Sequence, residues 1–163
     1  MGVDTIFYNG EIIFDSDSVD PIPIDKITRK YIKMNKTYQK SIGVDTKDWA
    51  FSDDDDNLLL TVNSRAHRGS AHDFIPNLLL ALDTAKGFGF TPVATSISYS
   101  TSWGDALGGV LRVGSDMSIT LTEVDGSTGR VARWTYTLDD VKKIKNGTFK
   151  PESGEVILIE GEF

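Results

Sequence analysis

The sequence predicts an α+β fold: a single domain over 1–163, mostly antiparallel sheet, with two main helices on one face and a short C-terminal helix. Two textures carry that expectation. Apolar residues recur at intervals of three and four over 24–38 and again over 74–86, the period of a helix with one buried face. Alternation by two and turn-forming glycines fill the chain after Gly89. A chain of 163 residues is also one domain's worth, able to bury about 70% of the surface its unfolded form exposes.

The first element, Thr5 to Phe14, is rich in aromatic and β-branched residues and reads as one strand with a bulge at Asn9-Gly10, in preference to two short strands around a tight turn there. The acidic stretch Asp15 to Asp20 then leads into Pro21-Ile22-Pro23, whose fixed φ keeps the chain extended up to a helix start. Ile24, Ile27, Tyr31, Met34 and Tyr38 lie on one face of that helix, and lysines fill the others. Ser41 to Asn57 holds Gly43, Trp49 and Asp53-Asp54-Asp55-Asp56 without periodicity, and reads as a long, partly mobile acidic connection around 41–57. Leu58 to Val62 is a short apolar run, expected as a buried strand.

Asp73 is placed to cap the second helix, with Pro76 tolerated in a first turn where backbone donors lack partners. Phe74, Ile75, Leu78, Leu79 and Leu82 form its stripe, and Lys86-Gly87 its stop. Strands are expected next at Val93–Tyr99, Gly109–Val113, Met117–Val124 and Val131–Thr137, the last two joined by the turn Asp125-Gly126-Ser127-Thr128-Gly129. Trp134 and Tyr136 share one face of the last of these, Arg133 and Thr135 the other. Asp139 is expected to cap a short helix to Lys145, stopped at Asn146-Gly147, and Glu155 to Ile159 is the final strand.

Composition excludes several classes of function. No cysteine is present, so disulfides, thiol catalysis and Cys-ligated zinc are ruled out. Met1-Gly2-Val3-Asp4-Thr5 lacks the basic-then-apolar pattern of a secretion signal, and no apolar run approaches the ~20 residues of a membrane span. The expected location is therefore the cytoplasm. A formal charge of −7 disfavours whole-surface binding to nucleic acid, leaving the Lys26 to Lys40 face as the one place where it could occur. Charge is also unevenly spread: Asp4 to Asp20 carries acids and no base, whereas Lys26, Arg29, Lys30, Lys33, Lys36 and Lys40 fall together.

Gly10-Glu11-Ile12, Pro21-Ile22-Pro23 opening a helix, Gly87-Phe88-Gly89-Phe90, Gly104-Asp105 and Leu111-Arg112-Val113 occur in an order that resembles a family of small, functionally uncharacterised α+β proteins of bacteria and their phages. These motifs cover 8–31 and 87–113. The sequence departs from the family in a longer Lys36 to Asp56 insert and an extension after Leu138. The resemblance implies a small α+β domain and a phage or mobile-element setting, in which the cytoplasm would be the host's, and it supplies no catalytic residues.

Ser64 to Asp73 contains both histidines and two of the six arginines, directly before the second helix. A glycine-containing loop entering a helix N-terminus attracts anions, so Arg65, Arg68 and Ser70 are the anion-binding candidates. The competing reading is an exposed strand-to-helix loop. If the chain is an enzyme, His67, His72 and Asp73 are its acid–base candidates, since imidazole titrates near neutrality. They lack the i,i+4 spacing of a helical metal site, and no metal and no cofactor are expected.

Arg29, Lys30 and Lys33 mark a second candidate, a partner surface on the basic helix, set against the simpler reading of a solvated lysine face. Asp15-Ser16-Asp17 and Asp53 to Asp56 lack the glycine and bidentate glutamate of a calcium loop. Gly104, Gly108, Gly109 and Gly114 do not form a nucleotide-binding loop and are expected in tight turns; Ser102-Trp103-Gly104-Asp105 is not a nucleophile elbow.

The expected function is that of a small binding or accessory protein, inhibitor-like if phage-encoded, that contacts a protein partner or a small anionic ligand and catalyses nothing. Two other classes stay open: a phosphoester- or nucleotide-processing enzyme using the His67 to His72 segment, and a virion or assembly component, which would be oligomeric.

Overall fold

Alternating burial along the first strand sets the layer structure. In β1 (Thr5–Asp15), Tyr8, Ile12 and Phe14 are buried while Asn9 and Glu11 face solvent. A computed structural model describes residues 5–16, 21–38, 49–54, 56–67, 74–101, 107–125, 129–150 and 155–160 of the chain. After β1 come α1 (Ile24–Tyr38), β2 (Trp49–Asp54), β3 (Asn57–His67), α2 (Ile75–Gly87), β4 (Thr91–Thr101), β5 (Leu107–Val113), β6 (Ile119–Asp125), β7 (Arg130–Tyr136), α3 (Asp139–Lys145) and β8 (Glu155–Glu160).

The strands form one eight-stranded sheet in the order β2-β3-β1-β4-β5-β6-β7-β8, with antiparallel neighbours throughout. The chain is α+β, as expected. Beyond β1 the strands follow one another as a meander, which needs only short connections except where α3 is inserted before β8. Among the described residues no helix is long and apolar enough to cross a membrane.

One face of the sheet carries Tyr8, Ile12 and Phe14 of β1, Leu58, Leu60 and Val62 of β3, and Ile97, Leu111, Leu121 and Tyr136 farther along; all join a single core with the helices. Helix α2 lies at the centre of that core. Leu78, Leu79, Leu80, Ala81 and Leu82 are fully buried on every side, because α1 and α3 flank the helix and the sheet lies beneath it. Each leucine contributes about 2 kcal/mol by leaving water. The stripe expected from Phe74, Ile75, Leu78, Leu79 and Leu82 is thus only part of the buried surface. Aromatic rings fill the gap between α1, α2 and the sheet: Trp49 stacks on Phe74 at 5.6 Å, and Tyr31 meets Phe51 edge-on at 5.4 Å.

Several expectations need correction. The bulge is not at Asn9-Gly10, since β1 keeps continuous register with β3 across both residues. The irregularity lies between Ile13 and Phe14 against β4, where Pro92 and Ala94 are their partners and Val93 is the extra residue, 60% exposed. Gly10 serves a different need, because a Cβ there would overlap the Ser96 carbonyl of β4 and its φ is 146°. The acidic connection around 41–57 is interrupted by β2, whose Trp49 and Phe51 are buried against β3. Two apolar residues two apart made too short an alternation to stand out. Residues 39–48 lie outside the described residues.

Met117 sits in the turn before β6 at φ 67° with its side chain in the core, so the expected alternation begins only at Ile119. That turn is held by Asp116, whose carboxylate accepts from the Ser118 backbone N–H and hydroxyl at 3.0 and 2.6 Å and is thereby kept below the usual carboxylate range. Phe74 and Leu138 occupy the N-cap positions of α2 and α3 and make no side-chain cap hydrogen bond; Asp140, not Asp139, accepts from the Thr137 N–H at the start of α3, and Asp73 lies outside the described residues. Gly108 belongs to strand β5, not to a turn, and so does Gly109, in keeping with the expected strand Gly109–Val113. Gly109 is needed there because the Tyr99 ring lies across it, reaching from β4 over β5 so that its hydroxyl donates to Glu123 Oε2 of β6 at 2.6 Å.

Glycine strain alone and strain with strand overlap can be separated by substitution. Gly147 shares a positive φ of 78° but has open space around it. Urea unfolding should show a loss of ~1 kcal/mol for Gly147→Ala and at least ~2 kcal/mol more for Gly10→Ala. Equal losses would mean that the approach of β4 does not constrain position 10.

Buried tyrosines predict a loss of stability in alkali. Burial, reinforced by Glu123, pushes the Tyr99 hydroxyl well above its ordinary range; burial does the same at Tyr31, opposed by the Asn35 and Asn77 side chains. The unfolded chain therefore releases these protons near pH ~10 while the folded chain keeps them, so unfolding releases protons and stability falls as pH rises above that point, by up to ~1.4 kcal/mol per pH unit per tyrosine. Between roughly pH 9 and pH 11, guanidinium unfolding should weaken more steeply in the wild type than in Tyr31→Phe or Tyr99→Phe. Identical slopes in all three would contradict the buried-hydroxyl account.

Candidate functional site

Helix α1 has two faces with different fates. Ile27, Tyr31 and Met34 go into the core, and Arg29, Lys30 and Lys33 stay exposed along the edge that faces α2 and α3. Between the three helices this edge bounds a cleft of about 560 Å³, lined by Arg29, Lys30, Lys33, Met34, Thr37 and Tyr38 of α1, Asp83 of α2 and Lys145 of α3. Four cations thus face one carboxylate. The volume lies within the ordinary range for sites that hold small molecules or a partner's side chains.

The apolar part of the cleft is fixed before anything binds. Met34 is almost fully buried, and its sulfur accepts from the Thr84 hydroxyl at 3.3 Å. The one Thr84 hydroxyl proton is shared with the Leu80 carbonyl, the closer acceptor at 2.7 Å, which ties the contact to the interior of α2. Tyr38 is half-buried against the core. The charged part is looser. Asp83 and Lys145 approach only to 3.9 Å and remain 33% and 43% exposed, so their attraction is largely screened by solvent.

The candidates read from the sequence divide sharply. Arg29, Lys30 and Lys33 come together in this cleft. Arg65 and His67 do not stand in a loop before a helix, because β3 continues through both and pairs them with Phe7 and Thr5 of β1. The strand runs past the expected Leu58 to Val62 because β1 is 11 residues long and offers partners back to Thr5. Arg68, Ser70, His72 and Asp73 lie outside the described residues, so the anion pocket and the acid–base pair proposed for that segment have no geometry to examine. Asp53 and Asp54 are strand residues of β2. Among the described residues no group of three or more acidic or histidine side chains is arranged to hold a metal.

Two charged residues of the cleft were missed. Lys145 could not have been paired with α1 by sequence separation. Asp83 left a signal, since it is the one charge in an otherwise apolar or neutral run from Phe74 to Ala85, and a lone charge on a buried helix marks the spot where packing opens.

The opposite side of the sheet is the other exposed surface. There Asn9, Ser96, Ser98, Val110 and Arg112 line a shallow groove of about 290 Å³ across β1, β4 and β5. Its groups are small and mixed in charge, with Glu11 beside Ser96. This is how the solvated side of an antiparallel sheet ordinarily looks. The alternate serines at 96, 98 and 100 announce it in the sequence.

The cleft charges do not hold the fold together, which urea unfolding can check: Asp83→Asn and Lys145→Gln should each change the unfolding free energy by no more than ~0.5 kcal/mol. A loss several times larger would make the pair structural. Comparison with known proteins finds no matching protein family, no matching curated sequence and no matching solved structure.

Proposed function

We propose that the chain is a non-enzymatic binding protein whose working surface is the basic cleft between α1, α2 and α3. One observation carries this reading: Arg29, Lys30 and Lys33 converge with Lys145, from the far end of the chain, around Met34 and Tyr38 in a molecule of formal charge −7. Like charges crowded on one face repel one another, and among the described residues only Lys145 has a carboxylate beside it, Asp83 at 3.9 Å. An anionic partner would offset that repulsion. Because the rest of the surface is acidic, the local positive potential would also direct such a partner to this face and away from others.

The partner contacts are therefore to a protein or a small anionic ligand, and the overall acidity works against a nucleic-acid duplex. The resemblance read in the sequence implies a phage or mobile-element setting, in which an accessory or inhibitor protein would act by occupying a partner's surface in the host cytoplasm without turning anything over.

Isothermal titration of the wild type and of Arg29→Gln/Lys30→Gln/Lys33→Gln with pyrophosphate and with polyglutamate, at low salt, tests the proposal. The wild type should bind at least one of them, and the triple variant should bind about tenfold or more weakly with an unchanged melting temperature. If neither anion binds the wild type, or if binding survives all three substitutions, the cleft is not the working surface.

A further inference from the structure

We infer that the occupant of this cleft is an acidic protein segment that carries an apolar side chain at its centre, and not a compact phosphorylated molecule. The inference rests on the cleft being a binding surface and adds the chemistry of what it binds. Its basis is which helix ends the cleft adjoins and the apolar centre that lies between its cations.

Sites for compact anions usually present backbone N–H groups at a helix N-terminus, where the positive end of the helix dipole adds to the attraction. This cleft has the reverse polarity. Thr37 and Tyr38 close α1 at its C-terminal end, Asp83 lies in the C-terminal half of α2, and Lys145 is the last residue of α3. The last carbonyls of α2 and α3 accept from the N–H groups that follow them, so these ends offer an anion no free N–H donor, and Asp83 adds a full negative charge. A phosphate seated deep in the cleft would meet that field.

All the attraction comes from Arg29, Lys30, Lys33 and Lys145, whose long side chains reach outward at the rim. Charges held this way attract carboxylates that are spread across a facing surface, several ångströms apart, as on an acidic protein segment. Between the cations the cleft offers Met34, pinned by Thr84, and the half-buried ring of Tyr38. These suit a leucine or phenylalanine of the partner, and methionine adapts to either shape. An apolar centre within a charged rim is also the general layout of protein–protein contacts.

Two synthetic peptides and one small anion separate the alternatives by fluorescence anisotropy and calorimetry: a glutamate-rich peptide with a central Leu-Phe pair, the same peptide with Ala-Ala there, and pyrophosphate. The Leu-Phe peptide should bind the wild type several-fold more tightly than the Ala-Ala peptide, and more tightly than pyrophosphate. Lys30→Glu/Lys33→Glu should weaken it about tenfold or more, and added salt should do the same. Tyr38→Ser should remove the preference for Leu-Phe over Ala-Ala without abolishing the salt-dependent part. Lys30→Gln/Lys33→Gln, which adds no new charge, serves as the second variant should the glutamate form fail to fold.

Equal binding of the two peptides, or tighter binding of pyrophosphate, overturns the peptide inference while leaving an anion-binding cleft in place. Failure of all three probes to bind up to ~1 mM overturns both.

Discussion

Everything on the helical side of this molecule depends on the burial of α2. Apart from the ridge at Asp83 the helix is apolar or neutral from Phe74 to Ala85, so the sheet alone cannot cover it, and α1 and α3 lie along its flanks and keep Leu79, Leu80 and Ala81 from water. Two helices laid beside a third leave a channel above its exposed ridge. Here that ridge is Asp83, the single charged position between Phe74 and Ala85, and the channel is the basic cleft. The site is thus a by-product of packing that α1 and α3 have lined with cations. The same burial fixes the Met34 floor through Thr84, so the apolar part of the cleft is as rigid as the core it belongs to.

A polar cluster beneath α1 shows how closely that core is filled. Asn35 donates to the Tyr31 carbonyl at 3.0 Å within the helix, while its Oδ1, the Tyr31 hydroxyl and Asn77 Oδ1 are buried without a hydrogen bond of good geometry. Asn35 and Asn77 still lie close enough to favour the ionised form of Tyr31, though burial outweighs them. Unsatisfied groups of this kind cost about 1–3 kcal/mol each, which the surrounding aromatic and aliphatic contacts must offset. Since Tyr31 and Asn35 share a helix with Lys30 and Lys33, the cluster fixes the rotation of α1 about its axis and hence where the cations point.

The sheet is asymmetric for a similar reason. Its covered face has room for a tyrosine to lie flat only where the neighbouring strand lacks a side chain, and Gly109 provides that place for Tyr99 on its way to Glu123. Its open face needs only solubility and pairing, and serine, threonine and asparagine meet both needs. At the β2 edge, Asp53 and Asp54 are exposed beside otherwise apolar strands, a charge pattern that resists pairing with another chain.

Periodicity along the chain was enough to identify α1, α2, α3 and the strands from β4 onward, because amphipathic spacing is a local property that each element carries alone. It also placed Arg29, Lys30 and Lys33 on one helix face, and set Trp134 and Tyr136 against Arg133 and Thr135. It failed where an element's extent depends on its partner: β2 exists because β3 gives Trp49 and Phe51 something to pack on, and β3 reaches Arg65 and His67 because β1 is there to pair with them. The meeting of Lys145 with α1 was beyond local reading altogether. Residues far apart in the chain become neighbours only when burial of α2 draws both flanking helices against it, and no spacing rule records a contact that a third element creates.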